Sequence, residues 1–278
     1  MSGSGGGEYR GKLFLVGTPI GNLEDITLRA LRILREVPLI AAEDTRQTRK
    51  LLDRYEIQRP LVSYYEHNER ARVAPLLDHL RENDLALVSE AGTPGISDPG
   101  FDLVRAAIAA GVTVVPIPGP SAPVAALAAS GLPTDQFVYL GFLPRRPAER
   151  RKYLRSVAAE PRTMIAFESP NRLVATLNDI GTELGDREVV VARELTKIHE
   201  EFVRGPASRV LARFETTPPR GEITLLIAGN TAAPAPIDVD ERIRVLRAAG
   251  LGNAEIAGRV SRESGVPRRE IYRLLIES

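Results

Sequence analysis

Short apolar runs alternate with longer amphipathic segments along the first 120 residues of the chain. The amphipathic segments repeat their apolar positions at helical spacing, whereas the short runs are almost continuously apolar, as in strands buried on both faces. The predicted strands are residues 12–17, 38–44, 60–65, 84–90 and 112–120. The predicted helices are residues 25–37, 46–56, 68–83 and 101–111. This alternation predicts a mainly parallel sheet with helices on both faces.

A second group of elements follows and has enough apolar residues for a core of its own. The predicted strands are residues 136–142, 163–169, 187–194 and 222–229, and the predicted helices are residues 147–159, 170–184 and 206–216. Helical spacing then returns in three short segments, at residues 240–250, 253–265 and 267–277. The Gly-Val-Pro turn between the last two is typical of a helix-turn-helix-like module. The predicted fold class is therefore α/β, with two α/β lobes and a small C-terminal helical module.

Glycine- and proline-rich stretches set the predicted domain boundaries. Residues 1–10 are expected to form a flexible tail outside the fold, and residues 11–118 the N-terminal lobe. The second lobe is assigned to residues 119–231, an Ala- and Pro-rich linker to residues 232–237, and the helical module to residues 238–278.

Composition excludes several classes of chemistry. The 278-residue chain has no cysteine, which rules out disulfides, thiolate nucleophiles and iron–sulfur clusters, and its three histidines show no paired spacing, so no metal site is expected. Lys plus Arg number 37 and Asp plus Glu 36, so any contact with RNA must come from local patches. Without a membrane-length apolar run or a signal-peptide pattern, the expected location is the cytoplasm, with no membrane partner.

Polar and Gly/Pro-rich loops follow all five predicted strands of the first lobe. The most unusual, Ser89–Gly100, holds three glycines, two prolines and Asp98. Such glycines admit a ligand to the backbone, and the prolines fix the loop beforehand. One loop of this kind is typical of a tight connection, but five at the carboxyl edge of one sheet favour a ligand site. The familiar G-x-G-x-x-G, P-loop and G-x-S-x-G motifs are missing.

Eight motifs in order resemble one family. They are LFLVGTPIGNLEDIT, IAAEDTRQTRKLL, SEAGTPGISDPG, PIPGPSA, GFLPRR, FESPNR, ARELTKIHEE and GEITLLIAG. Together they resemble the tetrapyrrole-methylase-like S-adenosylmethionine (SAM) methyltransferases. Within these they are similar to the bacterial enzymes that methylate the ribose 2′-hydroxyl of a cytidine in the decoding region of small-subunit ribosomal RNA. The similarity spans residues 11–278, and "SDP" stands at residues 97–99 where the corrin and sirohaem methylases usually show "GDP".

The resemblance implies a homodimer of two-lobed subunits of the tetrapyrrole methylase type, with SAM in the cleft between the lobes. It assigns the SAM contacts to the loops after the strands and to the backbone at 222–223, with the following positions: Ile20, Asp98, Phe101, Ser121, Ala122, Phe167 and Ile223. Independently of the family, Ser121 is predicted to be the N-cap of a helix at residues 123–130, with Pro123 near its first turn.

Methylation of a ribose hydroxyl needs a group that takes its proton, and carboxylates are the candidates. Location alone suggests that Glu43 or Glu90 orients or deprotonates the hydroxyl, and that Arg46 or Lys197 binds the adjacent phosphate. The alternatives stay open. Glu43, with Asp44, is equally suited to capping the next helix, and Glu90 to bracing its loop.

RNA binding requires clustered cations. The strongest basic run lies in residues 145–155 and supplies the candidates Arg145, Arg146, Arg150, Arg151 and Lys152. Arg268, Arg269 and Arg273 surround Tyr272 in the last predicted helix and suit phosphate contact with stacking. The alternative for the first cluster is an ordinary solvated face, and for the second a dimer or packing module.

Three functions remain at this point. The first is a ribosomal RNA ribose methyltransferase that acts on the RNA or on the assembled small subunit. The second is a SAM methyltransferase of a small tetrapyrrole-like molecule, and the third is a non-catalytic RNA-binding factor in ribosome assembly. The basic run and the added helical module favour the first.

Overall fold

The computed structural model describes residues 9–231 and 238–277, which form two compact units that divide after Gly229. The larger unit contains two five-stranded sheets, and the smaller one consists of three helices. The predicted linker, residues 232–237, lies outside the described residues, as do residues 1–8 of the predicted tail. Tyr9 and Arg10 correct the tail prediction: the Arg10 N–H donates to the Arg81 carbonyl at 3.0 Å, and the Arg81 guanidinium lies over the Tyr9 ring.

The first sheet is entirely parallel, in the order β3-β2-β4-β1-β5, as the alternating pattern predicts. Its strands are β1 (Lys12–Val16), β2 (Leu39–Ala42), β3 (Leu61–Ser63), β4 (Leu85–Val88) and β5 (Thr113–Ile117). The helices that follow β1 to β4 are α1 (Leu28–Glu36), α2 (Thr45–Arg54), α3 (Glu69–His79) and α4 (Phe101–Ala109).

Both faces of this sheet are covered, which explains its nearly continuous apolar strands. In β4, Ala86 and Val88 pack into a core with α1 and α2, whereas Leu85 and Leu87 pack into a second core with α3 and α4. Successive residues of a strand point to opposite faces, so a strand buried on both sides cannot alternate with polar residues.

The second sheet is mixed, in the order β6-β7-β10-β8-β9, with only the β6–β7 pair parallel. Helix α5 (Ala122–Ser130) precedes it. The strands are β6 (Phe137–Phe142), β7 (Thr163–Glu168), β8 (Glu188–Arg193), β9 (Glu201–Pro206) and β10 (Ile223–Ile227). The helices between them are α6 (Pro147–Ser156), α7 (Pro170–Leu184) and α8 (Ala207–Thr216). The edge strand β9 escapes prediction because Glu201, Arg204 and Gly205 interrupt its apolar run.

The two faces of the second sheet have different neighbours. Met164 and Val189 pack with α6, α7 and α8, whereas Ile165 and Val190 face a cluster with α5 and Ile20. Ile20 belongs to the loop after β1, so this cluster fastens the first lobe's loop to the second sheet.

The smaller unit contains α9 (Val239–Ala248), α10 (Asn253–Ser264) and α11 (Arg268–Glu277). The helices share one apolar core that includes Ile243, Ile256 and Ile271. Gly265, at φ 74°, ends α10 in the left-handed conformation before the turn into α11.

Candidate active site

Three loops meet at the carboxyl edge of the first sheet. Thr18, after β1, and Gly92, after β4, exchange two backbone hydrogen bonds of 2.8 and 3.0 Å. Gly17 and Gly119 approach so closely that a Cβ on Gly119 would lie 2.8 Å from the Gly17 carbonyl oxygen. Only glycine fits this approach, so the loops after β1, β4 and β5 form one cradle.

The loop from Ser89 to Gly100 folds back on itself. Gly92 and Gly95 have φ values of 79° and 81°, and the Gly95 N–H donates to the Pro99 carbonyl at 3.2 Å. Ser97 also has a positive φ, 65°, which is costly for a residue with a side chain. The loop therefore has a backbone conformation that favours glycine at positions 92 and 95.

Two helices begin at this cradle without side-chain caps. Gly100 precedes α4 and has no side chain, and Ser121 precedes α5 in extended conformation, but its hydroxyl makes no capping bond. The N-cap prediction for Ser121 is therefore confirmed for its position and wrong for its hydrogen bond. The first N–H groups of both helices remain available to an electronegative ligand.

Three carboxylates lie close together beside the cradle. The Glu43 Oε2 atom accepts a hydrogen bond of 3.1 Å from the Glu90 backbone N–H, so Glu43 is the residue that braces the loop, while Glu90 is exposed. Burial raises the pKa of Glu43, and the charges of Glu90 and Asp44 add to this rise, against the hydrogen bond from Glu90. Asp44, rather than Glu43, caps α2, because its Oδ1 accepts from the Arg46 and Gln47 N–H groups.

Asp98 is the most strongly perturbed carboxyl group of the site. Burial raises its pKa to about 7, the charges of Glu43 and Glu90 add to the rise, and a hydrogen bond from Ser89 opposes it. A carboxyl group in this range changes its protonation state near neutral pH, as functional carboxyls often do.

Aromatic side chains of the second sheet border the same loop. The Ser97 Oγ and Tyr139 OH atoms are 2.6 Å apart, and the Tyr139 ring makes an edge contact with Phe167 at 5.5 Å between centroids. The Phe142 ring packs on the Phe167 ring at 5.3 Å between centroids. Phe142 and Phe101 are exposed, at 61% and 67%. Phe167 is thus connected to the loop of Asp98 through Tyr139. Tyr139 and Phe142 were missed, although "FVYLGF" places three aromatic residues in β6.

A strained segment after β8 holds the predicted residue Lys197. Its Nζ forms ion pairs with Glu194 at 3.0 Å and Glu222 at 3.1 Å. Glu194 and Thr196 have positive φ values, 51° and 65°, and the segment packs against Gly21 of the loop after β1. Lys197 therefore links the end of β8 to the start of β10, next to the loop of Gly21. Its ammonium group is already paired with two carboxylates.

Two predicted cofactor residues bury their side chains elsewhere. Ile20 is 8% exposed and packs in the cluster between the lobes, and Ile223 is 3% exposed in the core of the second sheet. For these two positions, only backbone groups are available to a ligand. Ala122 is the first residue of α5 and contacts the cluster that contains Ile20.

The basic run at residues 145–155 requires one correction. Arg150 is only 2% exposed and forms a buried ion pair with Asp179, at 2.6 Å between Nη2 and Oδ2. The guanidinium group of Arg150 is buried and paired with a carboxylate, so the prediction that Arg150 contacts RNA is wrong. Helical periodicity explains the difference, because Arg150 lies on the face of α6 that packs on α7. Arg145, Arg146 and Lys152 are exposed, and Arg151 is half-buried 3.5 Å from Asp179.

The predicted RNA residues of the smaller unit are exposed. The Arg268 guanidinium lies over the Tyr272 ring at 5.9 Å and donates to the Ala254 carbonyl at 3.0 Å. Arg269 and Arg273 are exposed on α11. This arrangement offers a cation next to an aromatic ring within the three-helix unit.

Among the described residues, no group of three or more His, Cys, Asp or Glu side chains is arranged to hold a metal ion. The same residues contain no helix that is both long and apolar enough to cross a membrane.

The sequence was compared with protein-family profiles and with known proteins. The sequence profile of the Tetrapyrrole (Corrin/Porphyrin) Methylases matches residues 12–211. The chain is 48% identical over 273 residues to the Ribosomal RNA small subunit methyltransferase I of Synechocystis sp., covering 96% of this chain and 98% of the relative. The protein of the same name from Thermotoga maritima is 52% identical over 220 residues, which cover 79% of this chain and 99% of the relative.

Solved structures share the two-lobed fold at low sequence identity. Cobalt precorrin-4 methyltransferase has a TM-score of 0.59 at 20% identity, covering 78% of this chain and 94% of that chain. Uroporphyrin-III C-methyltransferase from Thermus thermophilus, complexed with S-adenyl homocysteine, has a TM-score of 0.54 at 23% identity, covering 79% and 98%. These similarities concern the fold alone.

Proposed function

Because the chain belongs to the tetrapyrrole (corrin/porphyrin) methylase family, we propose that it is a SAM-dependent methyltransferase whose substrate is small-subunit ribosomal RNA. The proposed product is a cytidine of the decoding region methylated on its ribose 2′-hydroxyl. The observation that carries the proposal is the similarity to a relative named as an RNA methyltransferase, at 48% identity over 96% of this chain. That match extends far beyond residue 211, where the family profile ends.

The chemical groups of the cradle of three loops suit SAM. A side chain on Gly119 would close the approach to Gly17, and the open helix N-termini at Gly100 and Ser121 offer N–H groups to a carboxylate. In its ionised form Asp98 can accept hydrogen bonds from a ribose diol. The exposed ring of Phe101 and the ring of Phe167 are each suited to contact with an adenine ring. When bound, SAM supplies the methyl group on an activated sulfonium.

The chain's own residues supply position and a proton acceptor. Holding the hydroxyl in line with the methyl group is worth roughly 7–11 kcal/mol in well-oriented reactions. Glu43 is the better of the two candidate bases, because burial raises the pKa of its carboxyl group toward neutral pH. Its carboxylate would accept the proton of the ribose hydroxyl when the methyl group passes from the sulfonium sulfur to the hydroxyl oxygen, and its hydrogen bond from the Glu90 N–H keeps the carboxylate in place. Arg46, exposed in the first turn of α2, binds the adjacent phosphate.

The structure supports a different role for Lys197 from the one predicted. Its two ion pairs favour a positioning role, in which it keeps the segment after β8 against the loop of Gly21. The proposal also includes a cytoplasmic homodimer, which rests on the family resemblance.

The proposed function is tested by methyl transfer from tritiated SAM. The protein is incubated with free small-subunit RNA, with assembled small subunits or with a tetrapyrrole precursor. Label in a 2′-O-methylated nucleotide supports the proposal. Label on the tetrapyrrole alone contradicts it, and binding to the subunit without any label points to an assembly factor. The Glu43→Gln and Glu90→Gln variants then identify the base: only the first is expected to lose turnover while SAM binding persists.

A further inference from the structure

Arginines along the edge of the first sheet are held by backbone carbonyls rather than by carboxylates. Arg35 donates to the Tyr55 carbonyl at 3.2 Å, Arg49 donates to the Arg59 carbonyl at 3.3 Å, and Arg59 donates to the Arg35 carbonyl. These bonds fix the guanidinium groups in place without reducing their charge. We name the region formed by Arg35, Arg46, Arg49, Lys50 and Arg59 the α2-edge surface.

This surface keeps its positive charge. None of its five cations forms an ion pair with a described carboxylate, and Lys50 bonds only to the Gln47 amide, at 2.9 Å. Residues 45–59 contain five basic and two acidic residues. The basic run at 145–155 differs, because most of its arginines are neutralised by the following pairs: Arg146–Glu149, Arg150–Asp179, Arg151–Asp179 and Arg155–Glu183.

The α2-edge surface begins beside the candidate active site. Helix α2 starts at Thr45, two residues after Glu43, whose carboxylate holds the loop of Glu90. Arg46 and Arg49 lie one helical turn apart and, with Thr45 and Leu61, line an open recess of about 490 Å³ next to the edge strand β3. A polymer that enters the active site can therefore continue over this surface.

We propose that the α2-edge surface binds the phosphate backbone of the RNA strand that flanks the methylated nucleotide. The proposal rests on the proposed function and adds the path of the substrate. The planar guanidinium group matches two phosphate oxygens at once, and its fixed position lowers the entropic cost of binding. Neutralised phosphates release counterions, so this contact strengthens binding in a salt-dependent manner.

The test compares Arg49→Gln, Arg49→Lys and a matched control, Arg162→Gln. Arg49 is partly buried, whereas Arg162 is an exposed arginine that is paired with Glu160 at 2.6 Å in the second lobe. Binding to a small-subunit RNA fragment is measured by filter retention at several salt concentrations. Arg49→Gln is expected to make the negative slope of log K against log salt shallower by about 0.7, the value for one phosphate on a single strand. Arg49→Lys should keep most of the slope, and Arg162→Gln all of it.

Turnover separates this inference from the proposed function. Arg49→Gln should raise the KM for RNA several-fold and leave kcat and SAM binding unchanged, because the contact stabilises the bound substrate and the transition state equally. If the wild type methylates RNA but Arg49→Gln keeps its salt slope and KM, the inference is overturned. It is also overturned if Arg49→Lys, which keeps the charge, loses as much of the salt slope as Arg49→Gln, or if Arg162→Gln loses as much, because the role is then structural or unspecific. Absence of RNA methylation by the wild type contradicts the proposed function instead.

Discussion

Replacing Arg150 by methionine is expected to destabilise the fold and to leave RNA binding intact. The side chains of Arg150 and Asp179 are 3% and 6% exposed, and Arg150 makes two contacts to the Oδ2 atom, of 2.6 and 2.8 Å. Without Arg150, the one described cation left beside the buried Asp179 carboxylate is Arg151, 3.5 Å from its other oxygen. Leaving a buried charge without its partner costs about 3–5 kcal/mol of unfolding free energy.

Urea unfolding followed by circular dichroism measures this loss. Arg151→Met is the matched control, because it removes the neighbouring arginine from the same carboxylate. Arg151 is 43% exposed, so its loss is expected to cost about 1 kcal/mol or less. The double variant Arg150→Met/Asp179→Leu should recover most of the stability, because it replaces the pair by apolar side chains and leaves no buried charge behind.

The reasoning is refuted if Arg150→Met unfolds within about 1 kcal/mol of the wild type, a loss typical of an exposed pair. An Arg150→Met variant that stays stable but raises the KM for RNA would return Arg150 to the RNA surface. Failure of the double variant to recover stability would indicate that packing of the arginine stem, rather than the charge, is the main contribution.

Three further results are expected. Burial raises the pKa of Asp98 to about 7, so SAM should bind more tightly as pH rises from about 6 to 8 and the carboxylate forms. Titration calorimetry measures this affinity, and the Asp98→Asn variant should show no such trend. A SAM affinity of the wild type that does not change with pH would contradict the role of Asp98. Glu43→Gln should lower kcat roughly 10²–10⁴-fold with SAM affinity retained, as measured in single turnovers, and a smaller loss argues against a general base. Gly119→Ala should weaken SAM binding, because its Cβ would lie 2.8 Å from the Gly17 carbonyl; Gly181→Ala, with open space around it in α7, is the control and should bind SAM normally.

The first sheet was predictable because its strands and helices have clear periods. Continuous apolar runs such as Leu85–Val88 occur where both faces of a strand are buried, and the structure has cores on both sides. Strand β9 was missed because an edge strand needs fewer apolar residues than a central one. The helix at residues 68–83 was predicted too long, since it ends at His79.

The site was predictable in outline but not in its contacts. Strand-end loops rich in Gly and Pro indicate a ligand site, and the structure brings the loops of Gly17, Gly92 and Gly119 together. Sequence position could not decide between the roles of Glu43 and Glu90, because the deciding bond joins a side chain to a backbone N–H 47 residues away. The same limit applies to Arg150, whose charge could not be known to be paired with Asp179.

Transfer of a deuterated methyl group tests the central claim most directly. The protein is incubated with small ribosomal subunits that lack the modification and with SAM labelled at its methyl group, and the RNA is digested to nucleosides for mass spectrometry. The account predicts a cytidine that carries the labelled methyl group on its ribose, and labelling roughly 10²–10⁴-fold slower when Glu43→Gln replaces the wild type. Label on a base would contradict it. RNA that stays unlabelled, although the protein binds SAM, would also contradict it.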